Sequence, residues 1–215
     1  VMVNNPLINI LTRTSNRPKF FKDCAASVKL QDYKNIRHIV GADNQETFDY
    51  AKKETSDVFL IPSMPRKPQY GIMHSPYNLY MNALTAEVKE GWVICLDDDD
   101  MLTRPDAIST LVKNLTAVDS LVLWKVQFPH RVIPSPQTWG RFPVLGDIAS
   151  IGFAYHISHN WAAQWDEVKE SDFRVILKLF RVLPQTVWLD DILTRVNYTQ
   201  IENLVGAGSG LQKDK

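Results

Sequence analysis

Cysteine is scarce in this 215-residue chain: Cys24 and Cys95 are the only two, far apart and without a CxxC pair. That excludes a disulfide-stapled scaffold, and a reduced, intracellular chain in the cytoplasm is the simplest reading. Long apolar runs are also missing. None approaches the ~20 residues that a membrane helix needs, so no transmembrane segment is expected. The opening Val1-Met2-Val3-Asn4-Asn5 has no charged-then-apolar signal layout. Without such a signal, the acceptor-like triplets at Asn114-Leu115-Thr116 and Asn197-Tyr198-Thr199 read as chance matches. An excess of either charge is absent too. Lys plus Arg is 24 and Asp plus Glu is 24. That balance argues against a nucleic-acid coat or an anionic-membrane binder, and no nucleic-acid partner is expected.

What is present is an ordinary globular composition, 45% hydrophobic and 22% charged. A chain of this length buries roughly 70% of its unfolded surface and needs no disulfide or metal to fold. Strands are expected at Leu7–Thr12, Ile36–Gly41, Val58–Pro62, Trp92–Leu96 and Leu121–Val126, each a short apolar run. Helices are expected between them. Phe20, Cys24 and Val28 mark one face, Glu46–Glu54 a second helix, and Ser75 to about Val88 a third, ended by Gly91. Thr103-Arg104-Pro105-Asp106 resembles a capping box before Ile108, Leu111, Val112 and Leu115. Ser63–Pro76, with Arg66, Lys67 and Gly71, reads as a long loop, as does Pro129–Gly152. Trp161 and Trp165 fall in a short helical or irregular stretch, Asp172–Leu183 fits a helix, and Val187–Leu189 a short strand. The alternating βαβα order predicts an α/β fold with a mostly parallel central sheet flanked by helices. In such sheets ligands bind at the carboxyl ends of the strands. Asp43 and the run Asp97-Asp98-Asp99-Asp100 both lie there, on one rim.

The aspartate run carries the strongest chemical signal. Four adjacent carboxylates raise one another's pKa values, and a divalent cation relieves that repulsion. Hard oxygen ligands suit Mg²⁺ or Mn²⁺, which take one or two carboxylates plus substrate phosphates. On an extended segment Asp97 and Asp99 face one side, and Asp98 and Asp100 the other. Asp97-x-Asp99 is then a metal and nucleotide face, and Asp100 caps the turn into the next helix. A solvated acidic turn is the plainer alternative.

Four passages together resemble a GT-A fold, nucleotide-sugar-dependent glycosyltransferase of the inverting family two, over about Pro6 to Leu193. They are Ile10–Pro18, Ile39-Val40-Gly41-Ala42-Asp43-Asn44, Asn82-Ala83-Leu84 with Gly91–Asp100, and Asp172-Phe173-Arg174-Val175 behind a tryptophan-rich loop. The resemblance implies a Rossmann-like single domain over 1–205. Its nucleotide-binding half would be about 6–127 and its acceptor half about 128–205. The glycine-rich 206–215 would be a flexible tail or a linker within a longer chain. It implies that Thr12, Arg13, Asp43, Asn82, Asp97 and Asp98 line the nucleotide, with Asp43 accepting from the uracil N–H. Asp99 and Asp97 would hold Mn²⁺ or Mg²⁺. Asp172 would be the general base, with Asp147 as the alternative. The expected reaction is hexose transfer from a UDP-sugar to a hydroxyl of a glycan or glycoprotein acceptor, with inversion.

Simpler readings stand beside these. Asp43 fits a turn after a strand, and Asp172 a helix N-cap. The family often has Glu-Asp where this chain has Ser171-Asp172. Arg17 fits a helix-face cation, and Arg66 and Lys67 a solvated loop. His156 and His159 fit a shared metal or simple packing. Trp139, Trp161 and Trp165 fit either an acceptor sugar or the core. A sugar-nucleotide nucleotidyltransferase would want a glycine-rich loop in place of Thr12–Pro18, and a non-catalytic sugar-binding module would need no strand-end carboxylates.

Overall fold

The computed structural model describes residues 5–65 and 67–197 and contains five α-helices and nine strands among them. The strands are β1 (Ile8–Thr14), β2 (Ile36–Ala42), β3 (Asp57–Leu60), β4 (Trp92–Cys95), β5 (Asp100–Leu102), β6 (Ser120–Phe128), β7 (Arg131–Ile133), β8 (Phe153–His156) and β9 (Gln185–Val196). The helices are α1 (Pro18–Lys29), α2 (Gln45–Lys52), α3 (Leu79–Ala86), α4 (Ala107–Lys113) and α5 (Ser171–Val182). One mixed sheet has the order β3-β2-β1-β4-β8-β6-β9-β5, with β7 paired to β6. β1, β2, β3 and β4 are mutually parallel. β8 runs antiparallel to both β4 and β6, and β6 is parallel to β9. β3, β2, β1, β4, β6 and β9 therefore all point one way.

Period-two alternation sorts the apolar residues between two layers. Leu11, Ile39, Val93, Cys95, Leu121 and Leu123 face α3 and α5, meeting Met81, Leu84, Ile176 and Leu179. Ile8, Ile10, Ile94, Leu96, Val122 and Trp124 face α1 and α4, meeting Cys24, Val28, Ile108 and Leu111. Each fully buried side chain of this size contributes about 1.5–3 kcal/mol. Both cysteines are free and buried. No helix among the described residues is long and apolar enough to cross a membrane.

Local chemistry explains where the elements differ from expectation. Asn44 caps α2, its side chain accepting from the Thr47 N–H at 2.8 Å. The third helix is shorter than expected: a 3₁₀ turn over Pro76–Asn78 precedes α3, which ends at Ala86. Gly91 opens β4 instead of closing α3. Its φ is +87°, and a Cβ there would stand 2.3 Å from the Leu7 carbonyl oxygen. The capping box does not form. Asp106 holds the N-cap position of α4 without a side-chain bond, and the Thr103 hydroxyl donates instead to the Ile192 carbonyl. β9 runs twelve residues, where only Val187–Leu189 read as strand. A bulge opposite Trp124 and Lys125 explains this: the register steps from Leu189 to Ile192, letting Asp190 reach Lys125 and Asp191 reach Arg104. β8 lies between the Pro129–Gly152 loop and the Trp161–Trp165 stretch, where no strand was expected. Arg66 and the 198–215 end, with the expected tail, lie outside the described residues.

Candidate active site

The alternation that sorts the core also aims the site. Leu11 and Cys95 share the α3/α5 face, and two residues further along, on the same face, come Arg13 and Asp97. Arg13 forks the Asp97 carboxylate, Nε to Oδ1 at 2.8 Å and Nη2 to Oδ2 at 3.3 Å. The guanidinium also donates to the Tyr77 carbonyl and Asn78 Oδ1, and lies 5.1 Å from the Tyr77 ring centre and 5.9 Å from that of Trp165. Burial opposes its charge, but Asp97 outweighs burial and raises its pKa. Trp165 is thus buried packing beside Arg13.

Leu96 lies on the α1/α4 face, and Asp98 continues it. Thr14 Oγ1 donates to Asp98 Oδ2 at 2.8 Å. Arg17, immediately before α1, engages both Asp98 oxygens and reaches Asp99 Oδ2 with Nη1 at 2.8 Å. Asp98 and Asp100 are buried, while Asp97 and Asp99 keep 18% and 17% exposure. Exposure alternates as in an extended run, but the chain makes a turn, closed by the Asp100 N–H donating to the Asp97 carbonyl, and Asp99 shares Arg17 with Asp98 while Asp97 is held apart by Arg13.

The run is neutralised mostly from within. Burial pushes the Asp98 carboxyl up and Arg17 draws it back, leaving it raised. Asp100 is raised well above the carboxylate range by burial and by Asp99, Asp97 and Asp98, and its Oδ1 has no partner. Asp100 belongs to β5, where its backbone pairs with β9, so it does not cap a helix. Arg17, read as a helix-face cation, is the residue that sequence reasoning undervalued. Its signal was its place at the end of the β1 loop.

Asp43 follows β2 and takes bonds from Ser15 Oγ at 2.6 Å and its neighbour Asn44 at 2.8 Å. The parallel register sets Thr14 beside Ala42, so Asp43 shares the rim with the aspartate turn. Asp172 lies in the first turn of α5, whose N-cap is Glu170. Its carboxyl pKa is raised, first by burial; the Phe173 N–H and Arg13 lower it and Asp97 raises it. Asp172 therefore serves its helix start and also shares a field with Arg13 and Asp97.

Other expected residues make bonds within the fold. Thr12 is fully buried, its hydroxyl donating to the Leu96 carbonyl at 2.7 Å and bonded to His38 Nε2 at 2.9 Å. Asn82 clamps the backbone of Trp165 through two bonds, of 2.8 and 2.9 Å. Asp147 is held by the N–H and hydroxyl of Ser135. Burial raises its pKa, but bonds from Ser135 and Thr138 win and lower it. The structure does not bring His156 and His159 to the run. His156 pairs in register with Trp92, at the amino end of β4, and His159 bonds Asp119.

Among the described residues, no three His, Cys, Asp or Glu side chains form a metal cage. The donor set still fits a Mg²⁺- or Mn²⁺-type site. Asp99 is accessible and gives Arg17 only Oδ2, and such ions commonly take the rest of their shell from phosphates and water.

No protein-family model and no curated protein sequence matches the chain. Solved structures do. TarS 1-349 from S. aureus, in complex with UDP-GlcNAc, superposes with a TM-score of 0.71 at 13% identity, covering 95% of this chain and 61% of that one. The mannosyltransferase PcManGT from Pyrobaculum calidifontis, in complex with GDP-Man and Mn²⁺, gives 0.69 at 12% identity, covering 93% and 59%. A longer S. aureus TarS structure gives 0.68 at 14%, covering 89% and 37%. The chain has the GT-A fold. It spans between about a third and three fifths of the length of these GT-A structures.

Proposed function

We propose that the chain is a metal-dependent glycosyltransferase domain that transfers a hexose from a nucleotide diphosphate sugar, a UDP-sugar, to a hydroxyl of a glycan or glycoprotein, with inversion. One observation carries this reading. A β-sheet rim gathers Asp43, Asp97, Asp99 and Arg13, and the Asp172 carboxyl shares their electrostatic field. The solved structures of the same fold with bound UDP-GlcNAc and GDP-Man support it.

In this reading about 6–127 forms the nucleotide half and about 128–205 the acceptor half, although β8 and β9 of the second half interleave with β5 and β6 of the first in the shared sheet. Asp43 accepts from the base N–H. Arg13 fixes Asp97, so that this carboxylate stands ready for the ribose or for metal-bound water. Asp99 would hold Mn²⁺ or Mg²⁺, and such an ion would supply positive charge opposite a leaving diphosphate. Asp172 takes the proton of the acceptor hydroxyl as that oxygen attacks the anomeric carbon from the face opposite the diphosphate. Its raised pKa suits a base, since proton affinity and availability near neutral pH then come closer together.

The test is calorimetric titration of UDP and of GDP, with and without Mn²⁺, into the wild type and Asp99→Ala. The reading expects UDP binding that needs the metal and disappears in Asp99→Ala. Absence of binding by either nucleotide, with or without metal, refutes it.

A further inference from the structure

A cavity of about 290 Å³ lies among Lys125, Val132, Pro134, Pro136 and Trp139. Pairing registers locate it relative to the aspartate turn. Ile94 stands opposite Ala154, and Ala154 opposite Val122. Three residues on from Ile94 is Asp97, and three on from Val122 is Lys125, so the two are at the same height. Leu121 and Leu123 share the α3/α5 core with Val93 and Cys95. Lys125 therefore continues the face that Asp97 continues. Val132 pairs with Gln127 and lies on that face too. β9 occupies one edge of β6, so β7 occupies the other, beyond the end of β8 and between β6 and the aspartate turn. At ~4.8 Å per strand, the cavity floor is two strands, about 10 Å, from the Asp97 column.

The lining has the chemistry of a sugar ring's partner. A pyranose has a face of weakly positive C–H groups and a rim of hydroxyls. The negative face of an indole suits the first, and a lysine with spare N–H donors suits the second. Trp139 packs edge-on with Trp188, with centroids 5.3 Å apart, a contact that restrains its plane. The Lys125 ammonium stands over one face of the Trp139 ring, 4.9 Å from its centroid, and pairs with Asp190, which offsets its charge; a sugar would pack on the indole beside this ammonium and accept from its remaining donors. The volume is at the small end of ligand pockets and suits one ring. The other tryptophans raised by the sequence are placed differently: Trp165 is buried beside Arg13, and Trp161 is exposed beside Lys178.

We propose that this cavity is the acceptor subsite and takes one uncharged pyranose ring of a glycan. The assignment rests on the transferase reading, because the register sets the ring beside the rim where a donor sugar would lie. It also gives the loop 134–147 a task, since Asp147 ties down its start at Ser135 by three bonds of 2.5 to 3.0 Å.

The test uses saturation-transfer NMR on the full chain with methyl glycosides of glucose, galactose and mannose as probes, and a parallel titration of UDP with Mn²⁺. Wild type is compared with Trp139→Ala, Trp139→Phe and Lys125→Met. Transfer to the ring C–H protons of at least one glycoside is expected. It is lost in Trp139→Ala, weakened in Lys125→Met and partly kept in Trp139→Phe, while UDP affinity is unchanged in all three. If Trp139→Ala does not fold by circular dichroism, the other two variants carry the comparison. Equal transfer in wild type and variants, or no transfer with intact UDP binding, overturns the subsite and leaves the transferase reading standing. Glycoside binding at Trp139 without binding of UDP or GDP overturns the acceptor role together with that reading.

Discussion

Replacing Arg13 by methionine tests whether the aspartate turn is held by its arginine partners. The Arg13 side chain is 15% exposed and Asp97 18%, so the pair lies between the surface and buried limits. Exposed pairs contribute up to about 1 kcal/mol, whereas removing one partner of a buried pair costs about 3–5 kcal/mol. Stacking against Tyr77 and Trp165 adds roughly 0.5–1 kcal/mol for each ring. Methionine keeps part of the apolar contact. The expected net loss is therefore about 2–3 kcal/mol, intermediate between those limits. For a chain of this length that lowers Tm by roughly 5–10 °C. Urea unfolding followed by circular dichroism reads the loss directly. Asp97→Asn removes the charge left behind, so the double variant should recover at least about 1 kcal/mol relative to additivity. A loss below about 0.5 kcal/mol in Arg13→Met, with an additive double variant, would refute the claim that the turn depends on this fork.

Asp172→Asn should lower kcat by about 10²–10⁴-fold with UDP affinity intact, and the raised carboxyl pKa of the wild type should move the acid limb of its kcat–pH profile upward from that of an ordinary aspartate. An unchanged kcat removes Asp172 from the chemistry. His38 is pushed down from 6.5 to about 4 by burial and by Lys29. A base whose folded pKa is depressed binds its proton more readily when unfolded. Stability is therefore complete above pH 6.5 and falls between 6.5 and 4, by up to about 3 kcal/mol, and His38→Gln should flatten that slope in urea melts run across this pH window. Gly91→Ala should cost at least about 2 kcal/mol, because alanine strains at φ +87° and its Cβ meets the Leu7 carbonyl oxygen; a neutral Tm would show that β1 and β4 can part there.

The first half of the chain was legible because its strands are short apolar runs ending in polar residues. The pattern at Trp92-Val93-Ile94-Cys95-Leu96 located both β4 and the acidic turn after it. What the sequence did not show is who neutralises that turn. A metal seemed necessary because four carboxylates were read against one another, whereas Arg13 and Arg17 come from a segment more than eighty residues away. The second half was harder for local reasons. Phe153-Ala154-Tyr155-His156 is buried on both faces and shows no alternation, so β8 was invisible. In β9 the acidic pair at the bulge breaks the strand pattern. Asp147 and Asp172 looked alike as carboxylates. Only packing distinguished them, with Asp147 saturated by its own loop and Asp172 set toward Arg13.

The bonds that tie the end of β1 and the segment after it to the aspartate turn bridge long stretches of chain. Thr12 to Leu96, Arg13 to Asp97 and Thr14 to Asp98 each span 84 residues, and Arg17 to Asp98 and Asp99 span 81 and 82. Such contacts form only after the intervening loop has closed, so they add to the slow, non-local part of folding. During synthesis the rim cannot assemble before β4 has emerged and docked on β1. A nucleotide recognised by this rim would then bind only the assembled sheet, and its appearance during refolding would time the docking of β4.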